Sequence, residues 1–287
     1  GERTIVTLTL SDFTDTIHVK MFTKNDDLPE LKERVSAGSF VKIKGLTTLD
    51  RFDHELTISS VAGIRKTADF TTKRMDYSCK KRVELHCHTK MSDMDGVTDA
   101  SVLLKRAKEW GMPALAITDH GVMFGVIEFY KAATDAGINP ILGCEVYVAP
   151  NSRFDREATH GDDRYYHLVL LAENNEGYQN LMKIVSKGFV EGYYYRPRVD
   201  MELLQQYHEG IIALSACLAG EIPKYLVRGM YEEACRTARG YEEIFGKGNF
   251  FLELQDHGIP EQRLVNTQLV RMAGELGIPL AATNDVH

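Results

Sequence analysis

The chain has 287 residues, 44% apolar and 26% charged, with a net charge of −7. That is room for one large domain, or a large one beside a small one, and the acidic balance argues against a wholesale basic nucleic-acid binder. No apolar run nears the roughly 20 residues of a membrane span, strand-like alternation from the first residues reads as no signal peptide, and five cysteines without a CxxC pair point to free thiols in a reducing, cytoplasmic setting.

Residues 3 to about 63 read as strands. Thr4–Leu10, Asp15–Phe22, Phe40–Gly45 and Glu55–Val61 alternate apolar and polar, and a helical piece near Leu28–Val35 interrupts them. Short strands with one helix in so few residues fit an all-β barrel of the OB type over residues 1–66. Phe13, Phe22, Phe52, Lys20, Lys42 and Lys44 are its candidates for gripping a single strand by stacking and charge; the plainer reading is barrel core and solvated lysines. Residues 67–82 then crowd Lys73, Arg74, Lys80, Lys81 and Arg82 without a period, the mark of a basic linker.

From residue 83 to 287 the pattern is strand, then helix, repeatedly. Apolar runs fall at Val83–Cys87, Ala114–Thr118, Pro140–Val148, Leu168–Ala172, Ile211–Leu214, Phe250–Leu254 and Pro279–Ala282. Helical stretches lie between them: one capped by Thr98 and stopped by Gly111, others near 125–136, 174–187, 220–245 and 259–276. Such βα alternation predicts an α/β fold with a parallel sheet, closed as a barrel one unit short of the eight-stranded form.

Chemistry in such barrels gathers where strands end. The first strand ends in His86-Cys87-His88, with Asp95 just beyond. Residues two apart on a strand share a face, so the two imidazoles project together. His120 follows the second strand, Glu145 sits on the third, Cys217 follows the fifth, and Asp285 and His287 close the seventh. The fourth departs from the rule, because His167 precedes its apolar run. Singly each has a plainer reading: Cys217 as a core thiol, Glu145 as a buried partner of an arginine. Together, five imidazoles, three carboxylates and a thiol exceed what one metal uses, and they point to a cluster of Zn²⁺, Mn²⁺ or Fe²⁺.

These stretches carry a resemblance. His86-Cys87-His88 with Asp95-Gly96, Thr118-Asp119-His120-Gly121, Gly143-Cys144-Glu145-Val146-Tyr147, His167-Leu168-Val169-Leu170-Leu171, Ser215-Ala216-Cys217-Leu218 and Asn284-Asp285-Val286-His287 are similar to the PHP (polymerase and histidinol phosphatase) domain of bacterial replicative DNA polymerase III alpha subunits. The stretch through about Val122 resembles the PolC type, and the chain from Phe124 on resembles the DnaE type. The resemblance implies a distorted (β/α)7 barrel and three divalent metals. It places His86, His88, Glu145 and Asp285 around one, Glu145, His167 and Cys217 around the second, and Asp95, His120 and His287 around the third. It also implies a fragment of a longer polymerase that works with other replisome subunits.

The expected reaction is metal-dependent hydrolysis of a phosphodiester, that is, 3′→5′ removal of nucleotides from single-stranded DNA or a primer 3′ end. Asp285, Glu145 and His120 are the residues expected to act in catalysis. Arg196 and Arg198 are the candidates to hold phosphate, Tyr195 to stack a base, and His257, past the sixth strand with Asp256, to touch substrate. Two other readings stand beside this one: a metal-stabilised scaffold without catalysis, and a small-molecule phosphatase of the histidinol phosphatase type.

Overall fold

A computed structural model describes residues 2–72, 74–157 and 164–287; Lys73 of the expected linker lies outside them. The chain divides into two compact units, Gly1–Arg74 and Met75–His287.

In the first unit β1 (Arg3–Ser11) and β2 (Thr16–Lys24) form an antiparallel hairpin. Its turn is closed by Asp12, whose carboxylate accepts from the Thr14 and Asp15 amides. Helix α1 (Leu28–Arg34) follows, then β3 (Val41–Leu49) and β4 (Leu56–Lys66). The sheet order is β1-β2-β4-β3, with β4 parallel to β2 and antiparallel to β3. The register of β3 against β4 slips at Gly45, where a Cβ would come within 2.6 Å of Ile58. Among the described residues, β1 and β3 pair on one side only. Burial is sparse. Among the described residues, Val19 and Thr57 are the buried side chains of this unit, while Ile5 is 61% and Phe22 71% exposed.

The second unit alternates strands and helices: α2 (Ala100–Glu109), β5 (Ala114–Ile117), α3 (Val126–Ala136), β6 (Asn139–Val148), β7 (Tyr166–Ala172), α4 (Asn175–Val190), β8 (Tyr193–Tyr194), β9 (Arg196–Val199), α5 (Met201–Gln206), β10 (Ile211–Leu214), α6 (Glu221–Val227), α7 (Tyr231–Phe245), β11 (Phe250–Leu254), α8 (Pro260–Leu276) and β12 (Leu280–Ala282). The sheet runs β12-β11-β10-β7-β6-β9-β8, with β5 also on β6. Glu84 bridges Leu115 of β5, and Cys87 bridges Val286 past β12, so the sheet curls until both flanks meet on the 84–88 stretch.

Strand alternation sorts the core into two faces. On β7, Leu168 and Leu170 join the large cluster with α4, α6, α7 and α8, while Val169 and Leu171 turn the other way. The inner cluster is completed by Leu85, Ala116 of β5, Ile141 of β6, Ile212 and Leu214 of β10 with Ala216 beyond it, Phe251 of β11 and Ala281 of β12.

The structure corrects several sequence expectations. The sheet is not uniformly parallel, because β7 runs antiparallel to both β6 and β10. The N-cap of α2 is Asp99, whose carboxylate pairs with Lys90, and not Thr98. The expected helix at 220–245 is two, α6 and α7, separated at Gly229, whose φ of 73° glycine adopts without strain. The Tyr193–Arg198 run is the β8–β9 hairpin and not a loop.

Candidate metal centre

The nine expected ligands meet at one place. On β6, Cys144, Val146 and Val148 face the helices, so Glu145 faces inward. Glu145 is 1% exposed and sits at the middle of the cluster. Its Oε1 is 3.4 Å from His86 Nε2, 3.1 Å from His167 Nδ1 and 4.0 Å from Cys217 Sγ. Its Oε2 is 3.5 Å from His88 Nε2 and 2.7 Å from His120 Nδ1. Asp285 Oδ1 lies 3.2 Å from His86 Nε2, 3.4 Å from His88 Nε2 and 3.2 Å from His287 Nε2. Asp95 completes the set, 2.8 Å from His120 Nε2 and 3.6 Å from His287 Nδ1.

The reversal of β7 explains how His167 arrives. Because β7 runs against its neighbours, its first residues, not its last, reach the rim where the other strands end. His167 pairs with Tyr147 in register and bridges Gly220, just past Cys217. The last ligands are set by an unusual backbone. Asp285 has φ 50°, and Ala216, beside Cys217, has φ 62°. Non-glycine residues hold that conformation only where their surroundings enforce it. Glu84 braces the residue before Asp285: its Oε1 accepts from the His86 and Asn284 amides at 3.2 and 3.1 Å.

The site is closed at its base and open at one side. His86, His88 and Glu145 are buried, while the side chains of Asp95 and His287 are 55% and 34% exposed. Among the described residues five buried polar side-chain atoms lack a hydrogen-bond partner, and four are here: His86 Nε2, His88 Nε2, His120 Nδ1 and Glu145 Oε2. Such an atom costs about 1–3 kcal/mol when left unmatched. Imidazole nitrogens and a carboxylate oxygen that face one another without an aligned proton are a donor set for cations. Three overlapping groups bring three ligand atoms each within 4.8 Å: His86, His88 and Glu145; His88, His120 and His287; and His120, Glu145 and His167. With Cys217 beside the last group, imidazole, carboxylate and thiol form a donor set that could hold metal ions.

Proton affinities follow from this crowding. Burial disfavours charge on His86, but the Glu253 and Glu145 carboxylates outweigh it and hold its pKa well above the ordinary value. His120 is raised against its burial by Glu145 and Asp95. His88 is lowered, chiefly by burial. Glu145, despite burial, is held well below the carboxylate range by His167 and His86, and Asp285 is brought down to about 2 by His88 and His86. Burial, then Glu145, pushes the Cys217 thiol well up.

The expected substrate residues divide. Arg196 lies over the Tyr147 ring, 5.6 Å from its centroid, and that ring is 5.2 Å from His167. Tyr195 is 63% exposed, with Arg164 stacked on it at 4.9 Å. Arg198 does not fit the role foreseen for it. It is 3% exposed, and its guanidinium donates to the carbonyls of Gly192, Arg153 and Asp155, which fastens the hairpin. His257 touches protein: its Nε2 donates to the Asn284 carbonyl at 2.6 Å, and its Nδ1 accepts from Gln262. It steadies the turn that carries Asp285.

Residues to which the sequence assigns no role of their own hold the expected ligands in place. Asp119 accepts from Thr89 and Ser92, and Ser92 accepts from His88 Nδ1 at 2.8 Å. Glu253 accepts from His86 Nδ1 at 2.7 Å. The signal for Glu253 was a lone acid inside an otherwise apolar strand.

Residues 84–257 match the family model of the PHP domain. Over 205 residues the chain is 51% identical to the DNA polymerase III subunit alpha of Treponema pallidum, covering 71% of this chain and 18% of that protein. It is 48% identical over 222 residues to the Deinococcus radiodurans DNA polymerase III subunit alpha, covering 74% and 17%. The chain thus spans under a fifth of the length of these relatives. Solved structures similar to it include a protein described as a metal-dependent phosphoesterase from Bifidobacterium adolescentis (TM-score 0.46, 15% identity, 71% of this chain and 87% of that one). Another is an amidohydrolase from Chromobacterium violaceum (TM-score 0.48, 16% identity, 71% and 87%).

Proposed function

The chain belongs to the PHP domain family, and from that premise we propose that it is the metal-dependent phosphodiesterase of a DNA polymerase III alpha subunit, trimming 3′-terminal nucleotides from single-stranded DNA. The observation that carries this reading is the convergence of nine ligand-type side chains on four buried donor atoms that lack hydrogen-bond partners. In this reading the second unit is a distorted (β/α)7 barrel, the curl of the sheet closing on residues 84–88.

Divalent cations at such a site lower the pKa of water toward neutrality and neutralise phosphoryl oxygens. His86, His88, Glu145 and Asp285 would hold one, Glu145, His167 and Cys217 a second, and Asp95, His120 and His287 a third. The protein's own part is threefold. Glu145 and Asp285 stay ionised at neutral pH and keep the cluster attractive to cations. The exposed flank at Asp95 and His287 admits the strand end. Arg196, braced on Tyr147 beside His167, offers a fixed guanidinium to a phosphate, and Tyr195 offers a base an exposed ring.

The first unit fits a DNA-handling role as an OB-type domain joined by a basic linker. Its hairpin, intervening helix and parallel β2–β4 pairing support that reading. Phe13, Phe22 and Phe52 are exposed, and so are Lys42 and Lys44, whereas Lys20 is bound by Asp50 and Asp53. The rest of a polymerase, other replisome subunits and a cytoplasmic setting follow from the same reading. No described helix is long and apolar enough to cross a membrane, and all five cysteines are free.

A metal-stabilised scaffold is the second reading, favoured by the full burial of His86, His88 and Glu145. The test is release of nucleotides from a primer with a mismatched 3′ end by chain reloaded with Mn²⁺ or Zn²⁺, with a small phosphate ester such as histidinol phosphate in parallel. Release that stops in Asp285→Asn supports the proposal. A chain that keeps its metal and releases nothing supports the scaffold, and turnover of the small ester alone supports a phosphatase.

A further inference from the structure

Glu253 is outside the nine-residue set, yet it is placed as carefully as any member of it. Phe250 and Leu252 on β11 face the helices, which turns Glu253 inward. Its side chain is fully buried, and no lysine or arginine is among its bonded partners. Oε1 accepts from His86 Nδ1 at 2.7 Å, from Gln255 Nε2 at 3.0 Å and from the Thr283 hydroxyl. A buried carboxylate needs such partners, and the ionisable one is an imidazole of the metal cluster.

That bond decides which ring nitrogen keeps its proton. With Nδ1–H committed to Glu253, His86 presents Nε2, the atom facing Glu145 and Asp285 at 3.4 and 3.2 Å. The neighbouring ligand is treated alike: His88 Nδ1 donates to Ser92, Ser92 donates to Asp119, and His88 Nε2 faces the same two carboxylates. Thr283 adds a second tie, because it lies two residues before Asp285.

We propose that Glu253 is a positioning residue of the cluster, locking His86 in its Nδ1–H form and tethering, through Thr283, the turn that carries Asp285. One carboxylate thereby sets the geometry of ligands from both ends of the second unit. The inference rests on the metal reading of the site and assigns to Glu253 part of the affinity of that site.

The test compares wild type with Glu253→Ala and the isosteric Glu253→Gln, each stripped with chelator and titrated with Zn²⁺ against a colorimetric competitor. Thermal unfolding in chelator runs alongside. Loss of such a hydrogen-bond partner weakens metal binding by about 10- to 100-fold. That range is expected for Glu253→Ala, and a smaller loss for Glu253→Gln, whose amide oxygen still accepts from Nδ1–H. In the Zn²⁺-loaded wild type, the His86 Nδ1 proton should give a slowly exchanging low-field resonance that Glu253→Ala lacks. Should Glu253→Ala not fold, the Gln variant alone decides. Lowered thermal stability with Zn²⁺ affinity and the imidazole resonance unchanged overturns the inference. Wild type that takes up no Zn²⁺ overturns the metal reading itself, and this inference with it.

Discussion

Protons and cations compete for the same atoms at this site. His86 and His120 have raised pKa values, so in the metal-free fold they favour the charged form that the neighbouring carboxylates stabilise. That contribution is complete below the unfolded imidazole value of about 6.5 and is lost as pH rises through the folded values. Glu145 and Asp285 are lowered, so theirs is complete above the unfolded carboxylate range, about 4, and is lost as pH falls through the folded values. His88, lowered by burial, opposes His86 and His120. The metal-free chain should therefore be most stable between these limits and lose stability on the alkaline side, as melting scans across pH would show. Zn²⁺ should abolish that alkaline loss, and its uptake near neutral pH should release protons, measurable in weakly buffered solution. Arg198→Ala should destabilise the chain by about 1–3 kcal/mol, because the guanidinium's bonds to three carbonyls are lost, without changing metal content. The two arginines also show where residue-level reading stops. Arg196 and Arg198 look alike in sequence and, two apart on β9, share a strand face; packing separates them, since Arg198 reaches the carbonyls of Gly192, Arg153 and Asp155 while Arg196 lies over the Tyr147 ring.

Most strands and helices were legible because apolar periodicity marks burial, and burial is what the sheet requires. Direction was not legible. The run Leu168–Leu171 reads the same whichever way β7 points, and the one hint was His167 standing before the run instead of after it. The β8–β9 hairpin was missed because its Tyr and Arg residues are amphipathic and carry no clean alternation. The break between α6 and α7 turns on Gly229 alone. The turn after β5 offers a test at this scale. Gly121 follows His120 with φ 62°, and a Cβ there would sit 2.9 Å from Pro197 and from the Tyr147 ring. Gly121→Ala should cost roughly 1–3 kcal/mol of stability through backbone strain. It should also reduce metal retention by displacing His120, read by melting temperature and by metal analysis of the same sample.

The two units differ in how much core they own. Among the described residues the buried side chains of the first are Val19 and Thr57, while the second holds three apolar clusters. Backbone amides of residues 3–66 should therefore exchange with deuterium well before those of β6, β7 and β10, in a time course resolved by peptide. The likeness to polymerase relatives covers 71% of the chain, so the family was readable where motifs are dense, and the OB reading of the first unit rests on its strand order and intervening helix. The central claim is that side chains from His86 to His287 share the work of gripping several cations. Metal content per chain after equilibration with Zn²⁺ or Mn²⁺ and gel filtration tests it directly. Retention of more than one ion per wild-type chain, with fewer in Asp285→Asn, is the predicted result; a folded wild type that retains none would contradict the account.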